Sequence, residues 1–202
     1  MTTTSLPCPV AALVLAAGYS RRFGSDKRKS HWTPECSLLN ASLALPRALL
    51  SEVWVVLRPD EQRSDLALPD DVHIVQDEQT IQGMGHSIAA GVLHLQQCSA
   101  AHALAIFLAD MPVIQASTLH ELLTEAAPGR IVLPIYEDQP GHPVIFGREF
   151  WPQLTELSGD SGARAILQRN PAAISRITVQ DAGVLRDVDK PEDLPLQGLS
   201  NR

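Results

Sequence analysis

Residues 10–29 read VAALVLAAGYSRRFGSDKRK. The first seven, Val10–Ala16, are apolar without alternation. A short apolar run of this kind, closed by turn residues, suits a strand buried on both faces, as in a parallel sheet. The run ends in Ala17, Gly18 and Ser20, and five cations then fall within the nine positions 21–29. Small residues let backbone N–H groups approach a ligand closely, and successive N–H groups form an anion-binding nest. Arg22 and Lys27 would add charge-assisted bonds to phosphate oxygens. The stretch is neither a GxxxxGK[ST] loop nor a GxGxxG fingerprint. It therefore reads as a local anion site of another design, or as a solvated surface loop.

Working outward, further apolar runs recur: Val53–Leu57, Val72–Val75, Ala103–Leu108 and Ile131–Leu133. Helix-like segments separate them. Leu38–Leu50 is leucine-rich. Met84–Gln97 brings Ile88, Val92 and Leu95 near one face. Ser117–Ala127 places Leu119, Leu122, Leu123 and Ala126 at i, i+3, i+4 and i+7, and Pro128-Gly129 stops it. Ser161–Arg169 reads as a further short helix with Asp160 as its N-cap. Strands alternating with helices predict an α/β fold: three layers, α/β/α, around a mainly parallel, Rossmann-like sheet. The segment from Val144 onward predicts extra strands, one of them antiparallel, and a helix or two. No linker or repeat divides the chain, so residues 1–202 are expected to form one domain.

Composition narrows the class. The chain has 202 residues, 45% hydrophobic and 19% charged, which is ordinary globular composition. A formal charge of −7, from 23 acidic and 16 basic residues, carries no global nucleic-acid footprint. No apolar run reaches the length that spans a bilayer. The opening MTTTSLPCPVAALVLAAG has no basic stretch ahead of its apolar run, so no secretory leader is expected. Cys8, Cys36 and Cys98 lie far apart, without a CxxC, which supports neither a disulfide framework nor a zinc site. The expected compartment is the cytoplasm, with partners that are neither nucleic acid nor membrane.

In open α/β sheets, ligands bind beyond the carboxyl ends of the strands. Three of the predicted strands end in Ala16–Ser20, in Gln76-Asp77 and in Asp110-Met111-Pro112. A carboxylate at the end of a buried strand, facing a cationic loop, suits Mg²⁺, which bridges phosphates through one or two carboxylates. Asp110 has that position, unless it only caps the next turn. The late cluster Asp187-Val188-Asp189-Lys190-Pro191-Glu192-Asp193 offers a second ligand, or a helix start with Asp189 as N-cap and Pro191 near N1. Gly83-Met84-Gly85-His86-Ser87 opens a helix whose free N–H groups suit an anion or a base edge. His142, in Gly141-His142-Pro143, either binds a second substrate's phosphate or caps a turn. Ser20, Ser87 and Ser161 have no evident histidine partner and GxSxG is absent, so covalent catalysis is not indicated.

Taken in order, LVLAAGYSRRFGSDK (13–27), QGMGHSIAAGV (82–92), LADMP (108–112), GHPVIF (141–146), GDSGARAIL (159–167) and DVDKPEDL (187–194) resemble the MobA-like nucleotidyltransferases. Within that family the GHPV and GDxGAR pieces are most similar to molybdenum cofactor cytidylyltransferases. The resemblance implies attack of a phosphate monoester on the α-phosphorus of a nucleoside triphosphate, with loss of pyrophosphate. The acceptor it implies is the terminal phosphate of molybdenum-bearing molybdopterin. The alternatives are a guanylyltransferase on the same acceptor, transfer to a sugar or isoprenoid phosphate, and a non-catalytic cofactor carrier.

The same resemblance implies roles. Arg22 and Lys27 neutralise the triphosphate, and Asp110 and Asp189 hold Mg²⁺. The backbone from Ala16 through Ala17, Gly18 and Ser20 to Arg22 cradles the phosphates. Asp77, Gly83 and Ser87 lie along the nucleotide, and His142 meets the acceptor. Ala17 replaces a glycine common in guanylyltransferase relatives, and its methyl favours a pyrimidine, hence CTP. A recipient molybdoenzyme or its chaperone is an implied partner. Two departures stand out: Asp77 where relatives often have Asn, and Arg28–Cys36 where they run through leucines to a glycine turn. The latter segment is expected to contact the acceptor or to stay mobile.

Overall fold

The apolar run near the start of the chain becomes β1 (Val10–Leu15) in the computed structural model, which describes residues 8–20 and 23–195. There follow β2 (His31–Thr33), β3 (Cys36–Ser37), α1 (Leu38–Leu49), β4 (Glu52–Leu57) and β5 (His73–Gln76). Next come α2 (Met84–Cys98), β6 (Ala103–Leu108), α3 (Ala116–Thr124), β7 (Ile131–Tyr136), β8 (Gln139–Pro140) and β9 (Val144–Gly147). Two short helices, α4 (Trp151–Thr155) and α5 (Arg164–Arg169), precede β10 (Ile174–Thr178).

The main sheet has eight strands in the order β10-β7-β9-β6-β1-β4-β5, with β8 paired to β7. β1 lies between β4 and β6, parallel to both. β9 runs antiparallel to β6 and to β7, which is the reversed strand the irregular C-terminal half predicted. Alternate residues of β1 enter different cores. Val10, Ala12 and Val14 pack with Leu39, Leu43, Leu119 and Leu122 of α1 and α3. Ala11 and Leu13 pack with Ile88, Val92 and Leu95 of α2 and with Trp151 and Ile166. Each buried aliphatic side chain contributes about 1.5–3 kcal/mol, so a central strand apolar on both faces is the natural middle layer. Among the described residues no helix is long and apolar enough to cross a membrane.

Three details differ from the sequence reading. The helix expected from Ser161 begins only at Arg164, and Asp160 does not cap it. Gly159 and Gly162 both adopt left-handed backbone, which breaks a helical path through 159–162. Asp189 is not an N-cap either: the turn Pro191–Asp193 has Lys190 in that place, with Pro191 near its start. The departure at 28–36 folds into regular local structure. Residues 27–29 form a 3₁₀ turn, and β2 and β3 pair as a small antiparallel hairpin. Phe23 and Leu38 bury against Val188, with Trp32 and Leu194 packed beside them. That cluster ties the loop after β1 to the acidic segment near the chain's end.

Candidate active site

Beyond the carboxyl ends of β1 and β6 lies a cavity of about 620 Å³. Its walls include Ala16, Ala17, Gly18 and Ser20 after β1, Thr80–Met84 and Ser87 at the start of α2, Asp110 after β6, and Lys27, Asp160 and Asp187. The strand ends placed Ala16–Ser20 and Asp110 here, as the α/β rule requires. Arg22 lies outside the described residues.

Lys27 and Asp110 meet directly. Lys27 Nζ donates to Asp110 Oδ2 at 2.6 Å and to the Val188 carbonyl at 2.7 Å, with Asp189 Oδ1 at 3.7 Å. The Val188 N–H donates to the Asp110 carbonyl at 3.0 Å, which fixes the acidic segment against the end of β6. Asp110 Oδ1 is buried and has no hydrogen-bond partner. Asp187 also lines the cavity, where burial and the charges of Asp110 and Asp189 raise its pKa. Among the described residues no three His, Cys, Asp or Glu side chains close on one point. A partnerless carboxylate oxygen, further carboxylates close by and no clustered nitrogen or sulfur donors fit a hard cation that keeps its own waters.

The start of α2 is held by contact rather than by a cap. A Cβ on Gly83, whose φ is +136°, would lie 2.5 Å from the Gly159 carbonyl oxygen, so only glycine lets the 158–160 loop approach. Gly85 N–H donates to that carbonyl at 2.7 Å, and Gly159 N–H donates to His86 Nδ1 at 3.1 Å. Asp160, expected as a helix cap, becomes part of the cavity wall. The Ser87 hydroxyl donates to the Thr80 carbonyl at 2.8 Å, so it braces the turn whose residues 80–82 line the cavity. Asp77 is exposed and is not among the lining residues. Its carboxylate accepts from Gln79 N–H and starts that turn.

His142 stands in a second, more apolar cavity of about 210 Å³, together with Val144, Phe146, Arg164 and Leu167. Leu15, Met84 and Leu108 line both cavities, so the two adjoin. Burial lowers the His142 pKa, against the opposing effects of a hydrogen bond to Ile106 and the charges of Asp110 and Asp187. Its Nδ1 is buried without a partner.

Arg28 is the residue that charge counting misjudged. It is 2% exposed, ion-paired to Asp26 and Glu61, and donates to the Ala16 carbonyl at 2.5 Å. Arg58 joins them, 3.3 Å from Glu61 and 3.5 Å from Asp26. Burial disfavours each charge, but the Arg28 hydrogen bonds and the arginine charges hold both carboxyl groups below their usual range. Such lowered values add stability that is complete above the unfolded pKa values of about 4 and is lost as pH falls through the folded ones. Urea midpoints should therefore hold from about pH 7 to 5 and drop steeply below 4. Glu61→Gln should lose about 1–3 kcal/mol at neutral pH and show a shallower acid fall. An acid limb identical in both proteins would remove Glu61 from this account.

Known proteins resemble this chain in sequence and in fold. A MobA-like NTP transferase domain model matches residues 12–174. Nicotine blue oxidoreductase of Paenarthrobacter nicotinovorans is 30% identical, over 96% of this chain and 98% of that protein. The purine catabolism protein PucB of Bacillus subtilis is 30% identical, over 89% and 91%. The molybdenum cofactor cytidylyltransferase of Escherichia coli is 23% identical, over 91% and 93%. Among solved structures, the Rv0371c homologue of Mycobacterium sp. strain JC1 superposes with a TM-score of 0.76 at 30% identity, covering 91% of this chain and 92% of that one. The Mycobacterium tuberculosis Rv0371c complex with manganese gives 0.73 at 23% identity, covering 92% and 95%.

Proposed function

Because the chain belongs to the family of MobA-like NTP transferase domains, we propose that it transfers CMP from CTP to the terminal phosphate of molybdenum-bearing molybdopterin. An acceptor phosphate oxygen bonds to the α-phosphorus, the α–β bridging bond breaks, and pyrophosphate leaves. A phosphate monoester is largely dianionic at neutral pH, so the attack needs positioning and charge neutralisation more than a base.

The observation that carries this reading is Asp110, with one oxygen on Lys27 and the other buried and unpartnered. Asp110 and Asp189 would hold Mg²⁺, which when bound would neutralise charge on the phosphates. Lys27 then exchanges its carboxylate partner for the departing pyrophosphate. Arg22 would add a second positive charge there. The backbone from Ala16 to Ser20 holds phosphate oxygens, and the helix start at Gly83 faces the nucleoside. The adjoining cavity, with His142 and Arg164 among apolar walls, suits an acceptor with a flat ring body and a phosphate. Nicotine blue oxidoreductase, 30% identical against 23% for the cytidylyltransferase, is named for different chemistry. The Lys27–Asp110 pair beside a small-residue loop favours transfer to phosphate here.

The decisive experiment supplies Mg²⁺, each common nucleoside triphosphate and molybdenum-loaded molybdopterin, and identifies the product by mass spectrometry. A cytidine dinucleotide is expected. Product formed only from a sugar or isoprenoid phosphate would replace the acceptor, and binding without turnover would make the protein a carrier. Base choice is tested with Ala17→Gly. Ala17 lines the cavity and packs into the α2-side core, so losing its methyl would loosen that part of the wall. The CTP/GTP ratio of kcat/KM should fall by up to about tenfold. An unchanged ratio would clear Ala17 of selecting the base.

A further inference from the structure

Arg28 and Arg58 hold three successive carbonyls of the loop after β1. Arg28 Nη1 donates to the Ala16 carbonyl at 2.5 Å. Arg58 Nη2 donates to the Gly18 carbonyl at 2.6 Å and its Nε to the Ala17 carbonyl at 3.4 Å. In a trans peptide, each carbonyl points opposite to the N–H that follows it. The N–H groups of Ala17, Gly18 and Tyr19 therefore turn away from the arginines. Among the described residues no backbone carbonyl accepts from any of the three. Ala17, Gly18 and Tyr19 line the main cavity.

A guanidinium has five N–H donors, and those of Arg28 are all engaged. Nε and one Nη2 proton go to Asp26, the other Nη2 proton to Glu61, and the Nη1 pair to Ala16 and Glu61. Arg28 therefore has no donor left for a phosphate, although it borders the cavity. Arg58 is not among the lining residues, and its guanidinium lies 4.5 Å over the ring of Tyr19. The two arginines and the carboxylates of Asp26 and Glu61 sum to no net charge, so the cluster supplies orientation rather than field.

We propose that Arg28 and Arg58 are positioning residues that aim the Ala17–Tyr19 amides at the leaving pyrophosphate without touching it. This rests on the transfer reading above. Their effect belongs in anion affinity rather than only in stability. A bond to a charged group contributes about 1.5–3 kcal/mol, which corresponds to roughly ten- to hundredfold in binding.

The test uses the intact protein, Mg²⁺ and inorganic pyrophosphate as probe, read by calorimetry and by ¹⁵N–¹H spectra. In the parent protein the amide signals of Ala17, Gly18 and Tyr19 should move downfield on binding. Arg58→Gln, measured well below its own Tm, should bind about tenfold or more weakly with smaller amide shifts. Arg58→Lys, which can still reach one carbonyl, should fall between the two. Arg28→Lys is the riskier companion because its site is buried, and Arg58 keeps the test open if that variant does not fold. Folded Arg58→Gln that binds within about twofold of the parent would overturn the proposal. So would binding that leaves the three amides unmoved. In both cases pyrophosphate binding itself leaves the transfer reading standing. A parent protein that does not bind pyrophosphate at all overturns both.

Discussion

Asp110→Asn should lower nucleotidyl transfer by about 10³-fold or more, a loss of roughly 4 kcal/mol of transition-state stabilisation. The amide is nearly the same size but cannot balance a cation. The variant removes the charge of a carboxylate whose Oδ1 is buried and unpartnered. Stability should change little, because two effects oppose each other. The Lys27 ion pair at 2.6 Å is lost. Burial and then the Asp110 charge raise the Asp187 pKa, and the second of these is relieved at the same time. We expect the Tm to move by no more than about 5 °C. Turnover against Mg²⁺ concentration, paired with calorimetric Mn²⁺ binding, checks both halves. Near-normal turnover at limiting Mg²⁺ would falsify a metal role for Asp110.

Lys27→Ala should reduce kcat/KM by about 10²–10³, the range found when a positioned charge-stabilising donor is removed. Lys29→Ala should stay within about twofold. The two side chains are separated by one residue and differ in everything that matters. Lys27 faces Asp110, Val188 and Asp189 inside the site, whereas Lys29 is exposed at the end of the same 3₁₀ turn. Losing Lys27 also removes the 2.6 Å ion pair of Asp110, so the variant should melt lower without ligand and recover with Mg²⁺ and CTP. Steady-state kinetics and melting curves with and without ligand separate these effects. Equal kinetic losses in both variants would assign the triphosphate contact to the wrong residue.

Much of the site could be read before any coordinates. The apolar runs located β1 and β6, and the rule for parallel sheets then placed Ala16–Ser20 and Asp110 at one edge. The helix start at Gly83 followed from its glycines, although the reason for them did not. Those glycines admit the 158–160 loop, a contact between segments some seventy positions apart. Asp160 was misread for the same cause: alone it resembles an N-cap, and only the approach of Gly83 makes it a wall of the cavity.

The basic loop shows the division most clearly. As a string, residues 21–29 are a block of positive charge facing an anion. In three dimensions Lys27 reaches a carboxylate 83 positions away, and Arg28 is buried against one 33 positions away. Neither pairing leaves a local trace, because an ion pair needs proximity and sequence pattern records only neighbours. Composition, periodicity and strand-end position by themselves determined the α/β fold, the edge where the main cavity lies and the residue types gathered there. The tertiary structure alone decided which of those charges face the cavity and which hold the loop. That choice depends on burial, since a guanidinium taken out of water must bring its counter-charges with it.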